Sequence, residues 1–169
     1  MNLILIILAF IGLVIGSILA FFTKEELVQG KKYFKFSKKI ILLILIVLFL
    51  FKAFPNYLLV LVFFILGILI AVLFKKVYFY LGLGIFFSFF YSSNFLILVL
   101  TLIFLFGLVQ GSFISFHFGY NKKRISKTLF VNLILFLIPV LLIFFRTVQG
   151  YDYLFFAFGA GAILNLIRN

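Results

Sequence analysis

Apolar runs of roughly 12 to 24 residues, parted by short intervals that hold most of the lysines, fill this 169-residue sequence from end to end. A hydrocarbon core of about 30 Å takes about 20 residues of helix, at 1.5 Å each. Barrel strands would need sustained alternation of polar and apolar positions, and the runs show none. The expected fold is therefore all-α, a polytopic bundle of transmembrane helices. Composition points the same way: 67% of residues are hydrophobic and 11% charged, against about half and about a quarter in soluble domains. The mean hydropathy is +1.43.

Taken in order, the first helix is expected at 3–22, with Gly12, Gly16 and Ala20 forming a small-residue stripe where a second backbone can approach. The N-terminal segment lacks the basic n-region of a signal peptide and is read as a retained helix. Thr23 and Glu26 have capping-box spacing, which predicts a short interfacial helix that stops at Gly30 and a basic, aromatic loop from Lys31 to Lys39. A second span follows at 40–51, short enough to need its flanking lysines to snorkel. Pro55 and Asn56 break the chain before a third span at 57–74, and a fourth lies at 77–91. The fifth is expected at 95–118. A second basic loop, 121–127, precedes a sixth span at 128–145, which Pro139 should kink. The last run is 153–167. Seven helices are expected, with six the fallback, in one integral membrane domain covering 1–169: helices one to three within 1–74, a linker helix at 77–91, and helices five to seven within 95–169.

Lysine and arginine set the orientation. With the N-terminus outside and the C-terminus in the cytoplasm, thirteen of the fifteen fall on inside segments and only Lys52 and Arg146 outside. Removing one middle helix would reverse the later loops and destroy that bias. The net charge of +12 is thus explained by topology, and nucleic acid is not an expected partner. Expected partners are the bilayer, anionic lipid headgroups at Lys31, Lys32, Lys35, Lys38 and Lys39, and a second copy or other membrane subunits.

The segment Gly12-Leu-Val-Ile-Gly-Ser17 recurs as Gly107-Leu-Val-Gln-Gly-Ser112, each followed by a basic stretch. Asn56-Tyr57-Leu58 and Asp152-Tyr153-Leu154 recur at nearly the same offset. Helices one to three and five to seven are therefore read as parallel repeats, with the fourth restoring orientation. This three-one-three layout resembles that of the SWEET and PQ-loop transporters, although their Pro-Gln dipeptide is absent: neither Pro55 nor Pro139 precedes a glutamine. The resemblance implies only a layout that transporters use. The Gly-Leu-Val-x-Gly-Ser segment is also similar to the first helix of prepilin peptidases, whose intramembrane aspartates have no counterpart here.

Chemistry is poorly provided for. The three acidic residues, Glu25, Glu26 and Asp152, fall at or beyond expected helix ends, so a carboxylate pair inside the membrane is not expected. One histidine and no cysteine leave no metal-ligand set, and no cofactor motif is present. Ser112 and His117 are five apart on one helix, about 140° round its axis, which is wrong for a Ser-His dyad. The chain is not expected to be an enzyme.

What remains is a group of uncharged polar residues at similar depth: Ser17, Gln110, Ser112, Ser115, His117, Asn132 and Asn165, all in the cytoplasmic halves of their helices. They either line a vestibule that takes a small solute or lipid headgroup, or hydrogen-bond helix to helix. Gly12, Gly16, Gly107 and Gly111 are the expected packing positions. Lys52, Arg146 and Asp152 would meet on the outer side, as an anion-binding rim or as solvated charges. Two function classes follow: a small-solute or lipid transporter, and a non-catalytic subunit or scaffold of a membrane complex.

Overall fold

The computed structural model describes residues 3–53, 57–141 and 152–168. The described residues form seven helices and no strand: α1 (Leu3–Phe22), α2 (Lys24–Lys52), α3 (Tyr57–Leu73), α4 (Val77–Tyr91), α5 (Ser93–His117), α6 (Lys122–Leu141) and α7 (Asp152–Arg168). The all-α expectation and the count of seven hold. Three helices, Ile4–Phe22, Ser93–His117 and Lys122–Leu141, are long and apolar enough to cross a membrane, while Tyr57–Leu73, Val77–Phe89 and Tyr153–Ile167 are apolar but shorter. These features are consistent with a membrane protein. The break at Pro55 and Asn56, the last turn expected of the sixth span, and Arg146 lie outside the described residues.

Both basic intervals depart from expectation in the same way. No stop occurs at Gly30; α2 runs unbroken for 29 residues, about 43 Å at 1.5 Å per residue. The Thr23 hydroxyl donates back to the Leu19 carbonyl at 3.1 Å instead of capping α2. Lysine and glutamate are good helix formers, and one glycine in a helix interior costs only about 1 kcal/mol, so the apolar run from Ile40 extends backward through the lysines. Likewise α6 begins at Lys122, not Thr128, because Asn121 Oδ1 accepts the Arg124 amide at 3.3 Å and caps the basic segment. Pro139 lies inside α6, which continues to Leu141.

The chain groups into two compact units, Met1–Ile41 with Leu100–Leu133, and Leu42–Val99 with Ile134–Asn169. In the first, α1 buries Ile6, Ala9, Phe10, Leu13, Ser17 and Ala20 at spacings of three and four, and exposes Ile4, Leu8, Ile11, Ile15 and Leu19 between them. The turn from α5 to α6 is left-handed at Gly119 (φ 56°) and Tyr120 (φ 61°), which lets the Tyr120 amide reach the Ser115 carbonyl at 2.9 Å. Tyr120 holds this rare conformation for a residue with a side chain while its ring stands edge-on to Phe21, centroids 5.5 Å apart.

In the second unit α4 is apolar on every side and lies inside, burying Tyr78, Tyr80, Leu81, Ile85, Phe86, Phe87 and Ser88. Helix α7 packs on α3 and on α4. Phe87 stacks on Phe155 with centroids 4.5 Å apart and an angle of 7°, and Phe156 meets Phe49 at 5.5 Å and Phe95 at 5.6 Å. Helix α3 is peripheral: it buries only Gly67 and Ala71 and exposes its leucines.

Candidate functional site

In the first unit the two Gly-Leu-Val-x-Gly-Ser segments pack on each other. Cβ atoms added at Gly12 and Gly16 would strike the Phe104 and Leu108 carbonyls, and one at Gly111 the Leu13 carbonyl. Contacts advance together along both chains, so α1 and α5 run parallel at backbone-to-backbone distance. Only residues without a Cβ permit this approach.

The serines bond across the same seam. Ser17 Oγ donates to the Gly111 carbonyl at 3.2 Å, and Ser112 Oγ to the Gly16 carbonyl at 3.0 Å. Each hydroxyl has one hydrogen and shares it with its own helix, Ser17 with Leu13 at 3.0 Å and Ser112 with Leu108 at 3.1 Å. Ser115 adds a third cross-helix bond, to the Ser17 carbonyl at 3.1 Å. The two bonds are reciprocal: each repeat serine donates to the glycine that precedes the other.

A second parallel seam joins α3 and α7 in the other unit. Gly67 lies against the Phe158 carbonyl and Gly161 against the Phe64 carbonyl, again reciprocally. Asn165 Nδ2 donates across it to the Ile68 carbonyl at 3.4 Å.

The remaining polar residues stand differently. Gln110 is half-buried beside the glycines of the α1–α5 seam; its Oε1 is shut from solvent and has no hydrogen-bond partner among the described residues. Asn132 on α6 is also half-buried. His117 is exposed at the end of α5, its ring edge-on to Phe118 at 5.2 Å. The structure thus brings Ser17, Ser112 and Ser115 together, places Gln110 next to them in sequence, and sets His117 apart at the surface.

Helix α2 divides the five lysines assigned to lipid headgroups. Lys32, Lys35 and Lys39 line a cleft of about 410 Å³ with Tyr33 and Phe36. Lys31 instead lies over the Phe116 ring of α5, 5.1 Å from its centroid. Lys38 is half-buried; burial first, then Lys35 and Lys39, hold its amine below the usual lysine value. Lys24 sits 4.9 Å from the Tyr120 ring centroid and 5.9 Å from that of Phe21, so the basic start of α2 and the α5–α6 turn occupy one end of this unit. Phe21, Phe116 and Tyr120 had no separate signal in the sequence beyond being aromatic residues near helix ends.

In the second unit Lys52 Nζ donates to the Tyr91 hydroxyl at 3.0 Å and lies 4.2 Å from that ring's centroid, with Phe95 at 5.5 Å. Of the expected outer rim, Arg146 and the Asp152 side chain lie outside the described residues. No described group of three His, Cys, Asp or Glu could hold a metal ion. Compared with protein-family models, curated proteins and solved structures, the chain matches none.

Proposed function

We propose that this chain is a multi-pass, non-enzymatic protein of the cell membrane, with its N-terminus outside and its C-terminus in the cytoplasm, a transporter or permeation protein for a small solute or lipid with a polar vestibule on the cytoplasmic side. The observation that carries this is the carbonyl oxygen of Gln110, shut from solvent and without a hydrogen-bond partner among the described residues. An amide oxygen without a donor costs about 1–3 kcal/mol, and a ligand hydroxyl, ammonium or water would supply one. The reciprocal seams support the accompanying architecture, two parallel three-helix repeats joined by α4, in which α1 answers to α5 and α3 to α7.

A second reading, a non-catalytic subunit or scaffold of a larger membrane complex, is favoured by a separate observation. Ser17, Ser112, Ser115 and Asn165 all donate to backbone carbonyls of a neighbouring helix, which makes them cross-links between helices. The deciding experiment is mass analysis of the protein extracted from its native membrane in mild detergent, with every bound molecule identified. A bound solute that is lost in Gln110→Leu, while the variant folds normally, supports the transporter. Stoichiometric recovery of other membrane proteins, unchanged by Gln110→Leu, supports the subunit and rejects the transporter.

A further inference from the structure

We propose that the cleft on α2 is a binding site for the headgroup of a single anionic phospholipid of the cytoplasmic leaflet; this rests on the chain's lying in a membrane with that end inside. Lys32, Lys35 and Lys39 are spaced three and four apart, so their side chains fall within about 60° of arc on one face of the helix. Three lysines line a space of about 410 Å³, within the range of about 300–1,000 Å³ typical of small-molecule sites. Lysine binds phosphate as a point charge, and three together suit a phosphodiester or phosphomonoester oxygen cluster.

The cleft's other lining is apolar and wet. Tyr33 is 75% exposed and Phe36 63%; beyond the cleft, Ile40, which opens the apolar run, is 41% exposed. A free anion has no use for that surface; a phospholipid, charged at one end and apolar at the other, covers both parts at once. Depth agrees. Lys39 immediately precedes the apolar run, and Lys32 lies about 10 Å further out along the helix, which spans the headgroup layer of about 5–8 Å. Glu25, seven residues before Lys32, marks the outer limit of the basic stripe. The other two lysines lie further round the same flank of α2, about 40° and 60° beyond Lys35, and are otherwise engaged, Lys31 over Phe116 and Lys38 half-buried, so the cleft takes a subset of the basic residues and not their total charge.

The test places the full chain in nanodiscs of phosphatidylcholine mixed with phosphatidylglycerol and counts the lipids retained on release, by native mass spectrometry. Wild-type protein should retain phosphatidylglycerol in preference. The triple variant Lys32→Gln, Lys35→Gln, Lys39→Gln should lose that preference by at least on the order of tenfold, since each basic residue near the surface is worth about fivefold. A control triple, Lys122→Gln, Lys123→Gln, Lys127→Gln, removes equal charge from exposed positions on α6 and should leave the preference largely intact. Equal loss in both triples would reduce the effect to a diffuse field and overturn the site. Displacement of the retained lipid by inorganic phosphate would make it a free-anion site and overturn the lipid. Should the single variant Phe36→Ala retain phosphatidylglycerol as wild type does, the apolar half of the proposal fails. The underlying placement fails separately, and earlier, if alkaline washing strips the chain from its native membrane.

Discussion

At the scale of single residues, the glycines of the seams are the least replaceable positions. A methyl at Gly16 or Gly111 meets backbone, which cannot rotate away, whereas one at Gly159 meets only the Phe49 ring edge at 3.6 Å. Gly111→Ala should therefore destabilise the protein by about 1–3 kcal/mol, as overpacking does, while Gly159→Ala leaves it nearly unchanged; thermal unfolding in detergent distinguishes them. Ser17→Ala and Ser112→Ala should each cost less, about 0.6 kcal/mol and at most about 1.7, because the carbonyls they lose keep their own helical bonds. The repeated hexapeptide made these positions legible. That each serine would reach the other copy's glycine was not, since a pattern within one strand of sequence carries no information about which two copies touch.

Among the elements, α2 shows how local propensity and punctuation can disagree. Gly30 and the capping spacing at Thr23 suggested a stop and a start, yet the helix runs through. Continuity is testable at Gly30. An alanine there removes the entropy cost of glycine in a helix interior and asks only the end of the Phe34 ring to shift, from contacts of 3.2 and 3.4 Å. Gly30→Ala should thus raise the unfolding temperature, by a stability gain of no more than about 1 kcal/mol; a fall would mean that the chain turns at this residue. The same continuity sorts the lysines. In a loop all five would be equivalent, but on the helix Lys32, Lys35 and Lys39 line the cleft, while Lys31 and Lys38, further round the same flank, meet the Phe116 ring and partial burial.

For the molecule as a whole, orientation is the open physical claim, and the absence of cysteine makes it directly measurable. Single substitutions Lys122→Cys and Tyr57→Cys introduce the only thiol in each variant, at exposed positions. In sealed vesicles an impermeant maleimide should reach Cys at 122 from the cytoplasmic side only and at 57 from the opposite side only. Labelling of both from one face would overturn the seven-span topology. The charge distribution gives the expectation its force: ten of the fifteen basic residues belong to the unit built from α1, the first part of α2, the later part of α5 and the start of α6.

Helix number and class were decided by the sequence alone, because a run of apolar residues in a membrane has to satisfy its own backbone hydrogen bonds and can do so only as a helix. The first, third, fourth and last helices appear within a residue or so of the expected bounds for this reason. Tertiary structure alone decided that α1 pairs with α5 and α3 with α7, that serines face carbonyls while the Gln110 oxygen meets no donor among the described residues, and that three lysines share a cleft. In a chain that is apolar on nearly every face, hydrophobic patterning does not say which face turns inward. Steric fit of small residues decides that, and it becomes visible only when two backbones lie together.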